Sequence, residues 1–175
     1  MSDFAHRLSL DQVRDGDRLD IVAGEEECRA VADRLGLLRL DRLEAHAVLS
    51  LDGQKVRATG RVKASLDQAC VATGQPVPAR IDEPFDLSFM PEPVSDTPQD
   101  EVELAAADLD TVFYDGSTID LGGAIVDSLA LAIDPYPRSA GADAALKEAG
   151  VLSEEEAGPF AALAALRSKL GGSSP

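Results

Sequence analysis

Two runs that alternate apolar and polar residues flank Asp52-Gly53, and they confine the middle of the chain to an antiparallel sheet. Successive side chains of a strand point to opposite faces, so a run with a period of two buries one face and wets the other. Asp-Gly marks a two-residue hairpin, because a type I′ turn needs positive φ at both central positions. Pairing Leu51 with Gln54 sets Leu49 opposite Val56, Ala47 opposite Ala58 and Leu43 opposite Val62. The other face then sets Glu44 against Arg61, Arg42 against Lys63 and His46 against Thr59, a favourable cross-strand arrangement for solvent. After a turn within 73–78, a third strand carries Ile81, Phe85, Leu87 and Phe89 on one side and Asp82 and Asp86 on the other. Pro84 has no backbone N–H, which predicts an edge position or a bulge there. The expected core is a three-stranded meander over 43–89, open or barrel-like.

Helical spacing appears on both sides of this meander. Cys28, Val31, Ala32 and Leu35 recur at i, i+3, i+4 and i+7, which predicts a helix over 25–35 with Glu25 to Glu27 at its positive N-terminal end and Gly36 as its C-terminal cap. A second helix is predicted from Asp120 to Ile133. Asp120 can accept free first-turn N–H groups, and Leu121, Ile125, Val126, Leu129 and Ile133 form one apolar stripe. Pro135 disfavours helical geometry at Asp134 and Pro137 holds the exit extended, so the helix ends near Ile133. Phe4, His6, Leu8 and Leu10 alternate as a short first strand, and residues 111–114 and 117–119 read as a hairpin about Asp115-Gly116. Pro159 opens a short last helix over 159–170, with Phe160, Leu163 and Leu170 on its stripe. The expectation is one α+β domain over 1–138, an antiparallel sheet packed by the N-terminal helix and the Asp120–Ile133 helix. A mobile acidic loop at 91–110, an acidic linker at 139–158 and the C-terminal helix complete it.

Charge is unevenly distributed. The chain of 175 residues has a formal net charge of −16. Residues 1–80 hold 13 acidic and 12 basic side chains, whereas 81–160 hold 19 acidic and 2 basic. Such a field repels phosphate backbones and attracts basic partners over a Debye length of about 8 Å at physiological salt. With no Trp, two Tyr and five Phe, platforms for stacked bases are not expected. No run approaches the roughly 20 uncharged apolar residues of a membrane span, and the opening Met-Ser-Asp-Phe-Ala-His-Arg does not resemble a signal peptide. A cytoplasmic protein is expected.

Three segments in order resemble the YceD family, the bacterial large ribosomal RNA subunit accumulation proteins. The first is Cys70-Val-Ala-Thr73-Gly-Gln-Pro76-Val77, which lines up on the family's C-x-x-C-x-x-P-V hairpin tip. The second is Ile119-Asp120-Leu121-Gly-Gly and its helix, followed by Pro135-Tyr136-Pro137. The third is the tail Gly158-Pro159-Phe160-Ala161-Ala162-Leu163. The resemblance implies a non-enzymatic factor in large-subunit biogenesis and rRNA accumulation, partnered by a ribosomal protein or large-subunit pre-rRNA. An acidic adaptor or holdase-like interaction module, unrelated to rRNA, is the first alternative.

A zinc site needs four Cys or His ligands near a tetrahedron. Where family members carry the second tip cysteine this chain has Thr73, and where many carry a cysteine after Tyr-Pro the approximate match is Ser139. Cys28 falls on a core stripe, and His6 and His46 belong to separate strands, so neither a metal nor any other cofactor is expected. Cys70 shares parity with Val62, Ala64 and Leu66, which reads as a buried thiol; no adjacent cation is present in sequence to activate it. A carboxylate-based, metal-dependent hydrolase is the second alternative, on Asp108, Asp110, Asp115, Asp120 and Asp127. Asp120 is better used as a cap, Asp115 in a turn and Asp127 on a wet helix face. No phosphate loop, dinucleotide fingerprint or nucleophile elbow is present, and no small-molecule substrate is evident. Lys55, Arg57, Arg61 and Lys63 share one strand face over roughly 27 Å, a candidate contact for nucleic acid or an acidic partner. Glu44, Asp82 and Asp86 on the flanking strands are expected to neutralise it.

Overall fold

A computed structural model of the chain describes residues 4–92 and 111–151. Among these residues the order is β1 (Arg7–Ser9), β2 (Arg18–Val22), α1 (Glu25–Leu35), β3 (Arg39–Asp52), β4 (Lys55–Ala69), β5 (Pro76–Pro91), β6 (Thr111–Tyr114), β7 (Thr118–Asp120), α2 (Leu121–Ala132) and α3 (Ala142–Glu148). Five strands form one sheet in the order β2-β3-β4-β5-β6, and β1 pairs with β7 separately. Strands β2 to β5 run antiparallel, while β6 joins β5 in parallel. The fold is α+β. The sheet does not close into a barrel, since β2 and β6 lie at opposite ends of the strand order.

The hairpin between β3 and β4 turns one residue later than the Asp52-Gly53 centre predicts. Asp52 pairs with Lys55, and the central residues are Gly53 and Gln54. Gly53 takes φ 60, and no residue other than glycine takes a positive φ among the described residues. This sign pattern is that of a type II′ turn, which needs the left-handed conformation only at its first position. The pairs therefore become Leu49 with Ala58, Ala45 with Val62, Leu43 with Ala64, Glu44 with Lys63 and His46 with Arg61. Moving a turn by one residue moves the pairing by two, so parity survives and the same side chains stay inward. A bulge between Leu40 and Arg42 reverses that parity, and Leu40 thereby joins Leu43 in the core opposite Leu66.

The inner face carries Leu43, Ala45, Ala47, Leu49, Val56, Ala58, Val62, Ala64, Leu66, Phe85, Leu87 and Phe89 as one buried cluster with both long helices. Helix α1 lies against β3 through Cys28, Val31 and Ala32. Helix α2 buries Leu121, Ile125, Val126 and Leu129 and contacts β4, β5 and β1. Asp120 caps it, its Oδ1 accepting from the Gly123 N–H at 2.9 Å. The helix stops at Ile133, which is extended with ψ 139 ahead of Pro135. Arg34 and Asp127 tie the two helices at 2.6 Å.

Two expectations are corrected. Residues 111–114 and 118–120 do not pair with each other, since β6 adds to β5 and β7 to β1. Strand β6 finds a longer partner in β5, and β7 is held by the segment about β1, whose His6 carbonyl accepts from Leu121 at the start of α2 and whose Leu10 N–H donates to the Ser117 carbonyl. The stretch read as a linker from residue 139 holds α3, an alanine-rich segment anchored by buried Ala142. Pro84 does sit at an edge among the described residues, where β6 covers β5 only from Ser88 to Pro91. The acidic loop from residue 93 and the C-terminal helix at 159–170 lie outside the described residues. Among those described, no helix is long and apolar enough to cross a membrane.

Candidate functional site

The tip between β4 and β5 and the exit of α2 meet, although about 65 residues separate them in sequence. At the tip, the Cys70 N–H donates to the Gln75 carbonyl and the Gly74 N–H to the Cys70 carbonyl, both at 2.8 Å. Pro76 then opens β5 opposite Ala69. At the exit, the Tyr136 N–H donates to Asp134 Oδ1 at 2.9 Å, which folds the chain between Pro135 and Pro137. Two ties join these pieces. The Val71 N–H donates to the Pro137 carbonyl at 2.9 Å, and Gln68 Nε2 donates to the Asp134 carbonyl at 2.7 Å.

Ser139 completes the junction. Its N–H and its hydroxyl both reach Cys70 Sγ, at 3.3 and 3.4 Å, and its Oγ lies 3.3 Å from Thr73 Oγ1. The Cys70 side chain is buried. Its thiol is drawn below the ordinary value of 9.0 to about 6, first by the Ser139 hydroxyl, then by the Ser139 N–H and the Thr73 hydroxyl, against the opposing effect of desolvation. Hydrogen bonds thus do here what an adjacent cation would otherwise do. The three positions expected from the resemblance to hold cysteines converge, but one thiol and two neutral hydroxyls do not make a tetrahedral zinc set. Among the described residues no group of three His, Cys, Asp or Glu side chains could hold a metal ion. Cys28 lies elsewhere, its thiol pushed up by burial under β3, and His46 Nδ1 contacts Asp20 on the outer face at 2.6 Å.

Gln68 is the contributor that sequence reasoning missed. It shares inward parity with Val62, Ala64 and Leu66, and a polar side chain at such a position needs a partner inside. That parity break was a usable signal. Asp120 and Leu121 do not join the junction; they begin α2, whose far end delivers Pro135, Tyr136 and Pro137 to it. Pro137 is buried, whereas the Tyr136 side chain is 74% exposed.

The cationic stripe projects from the outer face of β4, and most of it is occupied. Arg57 clasps Asp86 through two nitrogens, with Nε 2.7 Å from Oδ1. Arg61 Nε reaches Asp82 Oδ1 at 2.8 Å, and Lys63 Nζ lies 4.0 Å from Asp82 Oδ2. Asp86 is diagonal to Arg57 and Asp82 is diagonal to Arg61 in the β4–β5 register, a spacing that long side chains span. The Arg57 hydrogen bond holds the Asp86 carboxyl below its usual range. Glu44 instead pairs with Arg42. Lys55 has no ion pair among the described residues.

A family model described as large ribosomal RNA subunit accumulation protein YceD matches residues 58–167. The chain belongs to the YceD family. Comparisons with curated proteins and with solved structures return no match. The YceD match begins within β4 and takes in both halves of the junction, the tip at Cys70 and the exit at Ser139. Strands β1 to β3 and helix α1 precede it. The family description associates YceD proteins with accumulation of the large ribosomal subunit RNA.

Proposed function

We propose that this YceD protein promotes large ribosomal subunit biogenesis in the cytoplasm without catalysis, by holding a basic ribosomal protein. Family membership supports the ribosomal role. The choice of partner is carried by the outer face of β4, where Arg57, Arg61 and Lys63 already face Asp86 and Asp82 in a chain of net charge −16. Phosphate binding gains from release of counterions by free cations, and a guanidinium paired with a carboxylate offers less of that gain. Pre-rRNA contact through Lys55, Arg57, Arg61 and Lys63 is therefore the less favoured mode. The non-catalytic reading is supported by how the candidate carboxylates are used: Asp120 caps α2 and Asp127 pairs with Arg34.

The test is gradient sedimentation of ribosomes from wild-type and deletion strains, with rRNA and this protein assayed across the fractions. Reduced large-subunit rRNA in the deletion strain is expected, and unchanged profiles refute the ribosomal role. Recovery of purified ribosomal proteins by the intact chain and by a chain lacking residues 91–110 examines the acidic segment. Equal recovery by both removes that segment from the mechanism, and capture of rRNA alone transfers the partner from protein to nucleic acid.

A further inference from the structure

We infer that the groove between the edge of β5 and the last turns of α2 docks a cationic, partly apolar segment of a protein partner, which rests on the reading of a basic protein partner and gives it a site. The groove has a volume of about 830 Å³ and is lined by Glu83, Pro84, Asp86, Ser128, Leu131 and Ala132 among others, with no Lys, Arg or His among the described residues that line it. Leu131 is 87% exposed, the most exposed of the large apolar side chains among the described residues. Its neighbours in the core stripe of α2, Ile125 and Leu129, are fully buried, so Leu131 is an apolar group outside the core. An exposed apolar side chain beside a concave site gives a docked segment apolar area to remove from water.

Charge specifies the occupant. On β5, Asp82 and Asp86 each hold an arginine of β4, whereas Glu83 has no ion pair among the described residues. Glu83 shares parity with Ile81, Phe85 and Leu87 and therefore projects on the helix side of the sheet, away from the arginine stripe. An occupant that places a Lys or Arg at Glu83 and a Leu, Ile, Val or Met at Leu131 satisfies both groups; a phosphate backbone would meet carboxylates only. The β5 edge has no strand neighbour before Ser88 among the described residues, but Pro84 lacks the N–H that an added strand would use. Recognition accordingly runs through side chains and does not extend the β-ladder.

The test uses the full chain and a fluorescein-labelled peptide of alternating Leu and Lys, with alternating Ser and Lys, and Leu and Glu, as controls. Affinity is read by anisotropy, and carbodiimide coupling of a peptide amine to a protein carboxylate is mapped by mass spectrometry. The expected result is coupling concentrated at Glu83, with binding weakened about fivefold to tenfold by Leu131→Ala and comparably by Glu83→Gln. Val22→Ser, at an exposed apolar residue on β2, leaves affinity unchanged. Coupling scattered over other carboxylates, or affinity insensitive to both groove variants, overturns the proposal. So does an RNA oligonucleotide that protects Glu83 from coupling, or an internal link from Lys169 to Glu83 that excludes the peptide. If the peptide seats at Glu83 while the deletion strain shows normal large subunits, the groove stands and the ribosomal role alone fails.

Discussion

Replacing Gly122 with alanine should destabilise this protein, although glycine to alanine within a helix ordinarily stabilises by about 1 kcal/mol. Gly122 is in the first turn of α2, where the segment before β1 crosses the helix. A Cβ at this position would lie 2.0 Å from the Phe4 carbonyl oxygen and 2.6 Å from the His6 nitrogen, both backbone atoms that cannot rotate aside. The same crossing holds the His6 carbonyl against the N–H groups of Leu121 and Gly122, at 3.1 and 3.4 Å. It also buries Phe4, which is 3% exposed. Moving the segment away loses about 2 to 3 kcal/mol of Phe4 burial and about 1 kcal/mol for each hydrogen bond broken. Set against the helix gain, the net loss is about 2 to 4 kcal/mol. With a urea dependence of about 2 kcal/mol per molar, the unfolding midpoint falls by about 1 to 2 M, followed by circular dichroism. Gly123→Ala provides the contrast, because its Cβ meets only the Asp120 side chain, at 3.0 Å. A Gly122→Ala protein as stable as wild type would falsify the close-packed crossing and the docking of the N-terminal segment.

Four further outcomes are expected. Ser139→Ala removes the strongest hydrogen bond to Cys70 and should raise the midpoint of its thiolate absorbance above about 6, while an unchanged midpoint excludes the junction as the cause. Because the folded thiol titrates below its unfolded value of 9.0, its contribution to stability is complete above that pH. It declines as pH falls and is lost below about 6, so Cys70→Ala should flatten the pH dependence of unfolding across this window. Asp120→Ala should cost about 1 kcal/mol through the lost N-cap, with Asp120→Asn retaining most of it in the same urea assay. Gly60→Ala should cost about 1 to 3 kcal/mol, since its Cβ would stand 1.9 Å from the His46 carbonyl oxygen within the β3–β4 ladder; a thermal midpoint equal to wild type contradicts that contact.

Much of the architecture is readable from local pattern, and the exceptions are instructive. The helix at Glu25–Leu35 and the capped helix ending at Ile133 are present at those places, because spacing, caps and proline act within a few residues. The inward and outward faces of β3 and β4 are also correct, although every predicted pair along that hairpin is displaced. Parity depends on burial alone, whereas pairing depends on which residue takes the positive φ. For the junction, the sequence marks Cys70, Thr73 and Ser139 as corresponding positions through resemblance, but their hydrogen bonds depend on distant segments meeting. The arginine stripe is visible as a pattern, and the carboxylate that each arginine holds follows from the β4–β5 register.

The sequence by itself therefore determines the elements whose free energy is local: two amphipathic helices, their stops, and the buried parity of a long meander. Tertiary structure alone decides that β6 and β7 enter different sheets, that Gly122 lies under Phe4, and that Ser139 lowers the Cys70 thiol. The physical reason is range. Periodicity and capping are paid for within a turn or two of backbone, whereas strand partners, close crossings and a shifted thiol depend on groups brought together by burial from remote parts of the chain.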